Sequence, residues 1–128
     1  MKSIFKKIID KEITSYIVAE DENHLAFLDI NPLMEGHTLV IPKNEIDYIF
    51  DIDDKNLSDL ILFAKKVATK MKSKITCTKI GMTVIGLEVP HAHIHLIPIN
   101  SIDDMNFCNK KLQLSQEEML KIQEIINS

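Results

Sequence analysis

Residues 90–98 read Pro90-His91-Ala92-His93-Ile94-His95-Leu96-Ile97-Pro98, histidine alternating with small or aliphatic residues between two prolines. In an extended strand alternate side chains share a face, spaced about 6.6–7 Å along the chain. The run therefore predicts a strand over His91–Pro98. His91, His93 and His95 lie on one side of it, and Ala92, Ile94 and Leu96 fill the other. Three imidazoles on a buried type of strand are costly unless each finds a partner, and that cost asks for a purpose.

Working outward, Lys79–Ile85 predicts the strand before this one. Upstream, Ser15–Ala19, His24–Asp29 and His37–Ile41 read as three more strands, with turns at Glu20–Asn23 and Asn31–Gly36 and a stop at Pro42. The long helix between these groups is plain. Leu57, Leu60, Ile61, Ala64, Val67, Ala68 and Met71 form one apolar stripe over about four turns. Asp53 or Asp54 caps its start, and Lys65, Lys66, Lys70, Lys72 and Lys74 make a solvated face toward its end. A short amphipathic helix carries Ile4, Phe5, Ile8 and Ile9. A final helix begins at the capping box Ser115-Gln116-Glu117-Glu118 and continues through Met119, Leu120, Ile122, Ile125 and Ile126. Strands in runs with helices set apart give an α+β fold, an antiparallel sheet of about five strands with a long helix. No linker or repeat divides the chain, so residues 1–128 read as a single domain.

Composition narrows the classes. In 128 residues, 45% are hydrophobic and 27% charged, as in globular domains rather than disordered chains. Fifteen basic against nineteen acidic residues, net −4, argue against a binder of nucleic acid polymers that covers phosphates with cations. The absence of an apolar run of about 18 residues predicts no membrane partner. Met1–Glu12 has no signal-peptide core, and Cys77 and Cys108 stand far apart. The expectation is a cytoplasmic protein with free thiols.

Two uses of the histidine row are sensible. Imidazoles at alternate positions can converge on a transition metal, given further ligands and an open position. Alternatively, neutral imidazole is a nucleophile near pH 7 while its neighbours hydrogen-bond an anion. An exposed histidine is about one-quarter protonated at pH 7, so one ring can attack while another serves the leaving group. His24, alone after a turn, reads as an ordinary core histidine.

These residues resemble a known family. His91-Ala92-His93-Ile94-His95-Leu96 is similar to the His-φ-His-φ-His-φ-φ signature of the histidine triad proteins, in particular their Hint-like bacterial branch. Phe27-Leu28-Asp29-Ile30-Asn31-Pro32 with Gly36-His37-Thr38-Leu39-Val40-Ile41-Pro42-Lys43 resembles that family's first motif block, and Ile4–Ile13 its N-terminal segment. The blocks occur in order over nearly the whole chain.

The resemblance implies a nucleotide hydrolase in which His93 attacks the α-phosphorus and forms a nucleotidyl-histidine. His91 and His37 would orient His93, much as a buried Asp orients the histidine of a serine hydrolase. His95 would serve the phosphate and leaving group, and Asp29 the ribose hydroxyls. Phe5, Ile8, Ile13, Leu28 and Ile30 would line the base pocket, with donors near Glu88 and Val89 for the phosphate. It implies a small purine nucleotide of phosphoramidate, adenylate or dinucleoside polyphosphate type, no cofactor or catalytic metal, and a homodimer with a sheet extended across the interface. Nucleotidylyl transfer and non-catalytic nucleotide binding or scaffolding are the alternatives. Two departures stand out. Ser3 and Lys6 occupy the positions of a Cys-x-x-Cys that holds structural zinc in many relatives, so no structural zinc is expected. Leu87 stands where Gln is common, in a segment, Gly81–Val89, shorter than usual.

Overall fold

The computed structural model describes residues 2–128. Helix α1 spans Ile4–Ile9, strands β1 Ile17–Glu20, β2 His24–Leu28 and β3 Thr38–Pro42 follow, then helix α2 Asp54–Lys74, strands β4 Lys79–Thr83 and β5 Ile94–Ile99, and helix α3 Gln116–Asn127. Short 3-10 turns lie at Ile49–Asp51 and Ile102–Met105. The five strands form one antiparallel sheet in the order β1-β2-β3-β5-β4. The expected α+β architecture is what the chain adopts.

Strand parity sorts the core into two faces. Ala26, Leu28, Val40, Ile94 and Leu96 join Leu60, Phe63, Ala64, Val67 and Met71 of α2 in one apolar cluster. The α2 stripe buries because its start is fixed, Asp53 accepting from Asn56 N–H, and because no Gly or Pro interrupts it. Each large side chain sealed there contributes roughly 1.5–3 kcal/mol. The alternate residues Leu25, Phe27, Leu39 and Ile41 face the other way, under Phe5 and Ile8 of α1. Helix α1 is short, so it covers only part of that face. His37, His93 and His95 occupy the remainder.

The sheet edges are treated differently. At β1, Lys70 donates to Val18 O at 2.6 Å and to Asn127 Oδ1 at 2.7 Å, and Gln123 and Asn127 donate to Ile17 O. Lys70 is thus half-buried and bonded, a correction to its reading as part of a solvated face. At the opposite edge β4 is bare, with Met82 and the following Val84 exposed. A naked strand edge is a template for pairing.

Strand limits differ from the sequence reading at several ends. β1 is Ile17–Glu20 rather than Ser15–Ala19, β2 ends at Leu28, β3 is Thr38–Pro42, and β4 stops at Thr83 rather than Ile85. The largest difference concerns the histidine run, where β5 begins at Ile94, not His91. β3 and β5 pair only from Thr38↔Leu96 to Val40↔Ile94. Beyond that the chain peels away, Ala92 N–H donating to Ile46 O at 2.7 Å and His91 N–H to Val89 O at 2.8 Å.

Candidate functional site

Four histidines meet on the α1 face. His37 precedes β3, His95 lies within β5, and His91 and His93 sit on the irregular segment leading into it. All four are more than nine-tenths buried. Backbone groups fix their tautomers, because an amide can only donate and a carbonyl only accept. Leu33 N–H donates to His37 Nδ1 at 3.0 Å, so the His37 proton resides on Nε2. Nε2–H lies 2.9 Å from His95 Nδ1, which accepts, leaving His95 with its proton on Nε2. Separately, His93 Nδ1–H donates to His91 O at 2.7 Å, which leaves a lone pair on His93 Nε2. His91 Nε2–H donates to Pro42 O at 2.8 Å, and its Nδ1, buried beside the Phe5 ring, has no partner among the described residues.

Two expected roles are corrected by this geometry. His37 contacts His95, not His93. The backbone carbonyl of His91, rather than its imidazole, orients His93; the imidazole anchors the segment to the end of β3.

Burial governs the charges. It lowers the His37 pKa to about 3, helped by the neighbouring His95 and Lys111, and lowers His95 to about 4, helped by His93. His91 is lowered for the same reason. Asp29 is raised by burial, against the hydrogen bond it accepts from Asn31 N–H at 2.8 Å. Its carboxylate stands 3.6 Å from His37 Nε2. The free site therefore holds His37 and His95 neutral.

A cavity of about 240 Å³ opens onto this group. Asp29, Glu88, His37, His93 and His95 line it, as do Asn31, the Ile85–Leu87 turn, Phe107 and Lys111. Gly86 has φ +74, a left-handed conformation that suits glycine at this turn. The base-pocket expectations divide. Leu28 belongs to the α2-side core because parity turns it away. Phe5 and Ile8 are buried in the α1-side cluster with Val89 against it. Ile13 borders a separate small cavity, and Ile30 is exposed beside Asp29. Phe107 and Lys111 were not foreseen; they come from an aperiodic loop whose sequence carries no signal of its destination. On the far side of Ile85–Leu87 a larger hollow of about 490 Å³ is lined by apolar groups such as Tyr48, Phe50 and Ile61, and by none of the histidines.

The same atoms speak to metals. Asp29, His37 and His95 offer ligand atoms within 4.8 Å of one another. Yet the Leu33 amide keeps the proton on His37 Nε2, and that proton occupies the His95 Nδ1 lone pair. The cluster is a hydrogen-bond chain, not a cage of free donors. Nor do the residues at the zinc-motif positions fit zinc. Ser3 Oγ accepts from Lys6 N–H as the α1 cap, and the Lys6 ammonium pairs with Asp10 at 3.3 Å. No thiolate is present there, and an ammonium repels a divalent cation. The N-terminal segment is fastened instead by the Lys2 and Lys6 ion pairs and by Ser3 N–H to Glu45 Oε1 at 3.2 Å.

Comparison with known proteins places this arrangement. The HIT domain family model matches residues 10–102. An uncharacterised HIT-like protein of Borreliella burgdorferi is 39% identical over 127 residues, covering 93% of this chain and 91% of that one. An adenosine 5'-monophosphoramidase of Saccharomyces cerevisiae is 42% identical over 96 residues, covering 74% of this chain and 61% of its own length. Among solved structures, a Hit-like protein from Bartonella henselae superposes with a TM-score of 0.84 at 30% identity, covering 98% of this chain and 95% of that one. Matched by the family model across most of its length, the chain belongs to the histidine triad (HIT) family.

Proposed function

We propose that this protein is a nucleotide hydrolase that acts at the α-phosphate through a covalent intermediate on His93. The observation that carries the reading is the His93 tautomer. Its Nδ1–H is spent on His91 O, so the Nε2 lone pair is free in a cavity shared with His95 and Asp29. In the first displacement the His93 Nε2–P bond forms and the bond from phosphorus to the leaving group breaks, the leaving group taking the electron pair. The His91 carbonyl stabilises the ring as it gains positive charge, and His95 Nε2–H hydrogen-bonds the departing atom. In the second, water attacks phosphorus and the P–N pair returns to His93. One water proton is released to solvent, or to His95 Nε2 where an amine leaving group took the proton there in the first displacement, and the hydroxyl remains on the nucleotide.

Asp29 takes the ribose hydroxyls, and the base, of purine type, leans on the exposed Ile30 beside it. The Saccharomyces relative, a monophosphoramidase, makes nucleoside phosphoramidates the first substrates to assay. The working unit in this reading is a homodimer formed by the bare β4 edge and the adjoining apolar hollow. No helix among the described residues is long and apolar enough to cross a membrane.

The test is turnover of an adenosine phosphoramidate with His93→Asn. Turnover falls to background while AMP affinity stays within about threefold. Asp29→Asn, in the same series, keeps the nucleophile but weakens AMP by about 1.5–3 kcal/mol. Undiminished turnover by His93→Asn overturns the mechanism.

A further inference from the structure

The rings beside the cavity stand in a file. Phe5 packs edge-on to His93 with centroids 5.0 Å apart, His93 to His95 at 5.0 Å, and His95 to Phe107 at 4.8 Å. The Lys111 ammonium continues the line, 5.9 Å from the Phe107 centroid. It is held in place, donating to Phe107 O at 2.6 Å and Asn109 O at 3.2 Å in a half-buried setting. Those two bonds leave a third N–H and the whole charge for a ligand. Lys111 is the one Lys or Arg among the described residues lining the cavity, and the carboxyl groups there belong to Asp29 and Glu88.

We propose that Lys111 binds the leaving group and selects nucleotides whose α-phosphate is joined to a second phosphate over those joined to a neutral amine. This rests on the His93 reading given above, and deepens it. His95 contributes an N–H to the departing atom but, held neutral by burial, no charge. A departing phosphate takes the electron pair of the broken P–O bond as an anion. It needs a fixed counter-charge more than a proton, and Lys111 supplies that charge beyond His95, at the end of the file remote from Phe5. A departing amine takes up the His95 Nε2 proton as it receives the electron pair, leaves neutral, and gains little from an ammonium nearby. Lys111 also stands near enough to Asp29 and His37 to favour their deprotonated forms. Were its task only to balance Asp29, it would act through the ribose and affect every nucleotide alike.

The experiment compares Lys111→Met and Lys111→Arg with the wild type on two substrates, a dinucleoside tetraphosphate and adenosine phosphoramidate. In the His93→Asn background, ADP and AMP affinities are measured by calorimetry. Lys111→Met is expected to lower the ratio of the two kcat/KM values, polyphosphate over amidate, about tenfold or more, and Lys111→Arg to restore most of it. The ADP-to-AMP affinity ratio falls in parallel. In protein that keeps Lys111, added salt lowers that ratio too, a readout that survives if Lys111→Met fails to fold. Equal losses on both substrates, or an ADP-to-AMP ratio indifferent to Lys111 and to salt, overturn the proposal. Absence of turnover in the wild type sinks the hydrolase reading alone, because the affinity arm still decides the role of Lys111.

Discussion

Acidification from pH 7 to pH 5 is expected to weaken the fold through the paired imidazoles of His37 and His95. Burial holds them at about 3 and about 4 in the folded protein, whereas both return to about 6.5 when the chain unfolds. The folded pKa values are depressed, so between them and 6.5 the unfolded state binds more protons. Stability then falls as pH falls through that window. At pH 5 each ring alone costs about 2 kcal/mol, and because they share one hydrogen bond the pair costs about 2–4 kcal/mol. His91 adds in the same direction. Asp29 opposes it: its carboxyl, raised by burial, takes up a proton more readily folded than unfolded. Urea unfolding followed by circular dichroism at the two pH values, at constant ionic strength, measures the difference. His37→Phe removes one titrating ring and frees His95 Nδ1, so its loss on acidification is smaller than that of the wild type. A flat wild-type profile, or an equal loss in the variant, would refute the account of the buried pair.

Two further outcomes are expected. Gly36 adopts φ +91, and a Cβ there would stand 2.5 Å from Ile75 Cδ1, so Gly36→Ala lowers urea-unfolding stability by about 1–3 kcal/mol. The same variant displaces His37 and slows turnover, which the assay for His93→Asn reads directly. If the bare β4 edge and its apolar surroundings pair two copies, sedimentation gives twice the 14.7 kDa chain mass. Met82→Lys on that edge then yields the monomer, while a wild-type monomer at micromolar concentration rules the interface out.

How much was legible in the sequence depends on whether a signal was periodic. The α2 stripe and the alternation of histidine with aliphatic residues leading into β5 announced themselves because burial imposes spacings of 3.6 and 2.0 residues. Alternation alone could not show where β5 begins. That point is set by its neighbour, since β3 ends at Pro42 and Ala92 finds its acceptor at Ile46 instead. Likewise Leu28 and Asp29 are adjacent in a motif, yet parity sends Leu28 into the core and leaves the carboxylate at the cavity. The histidines were identifiable because three imidazoles in alternation have few cheap structural uses. Phe107 and Lys111 were not, since a loop folded back over 100–115 carries no spacing that tells where it lands. The tautomers were hidden for a different reason, being determined by main-chain atoms that every residue type shares.

That last point bears on how the site tolerates change. The direction in which the His37–His95 chain points its hydrogens is set by a peptide N–H at position 33. Ordinary side-chain replacement there leaves that amide in place, so a mutational scan would rank the position as permissive packing. Only proline deletes the donor. Polarity of the relay is thus written into the course of the Asn31–Gly36 turn, and a relative that kept all four histidines but rerouted this turn would lose it.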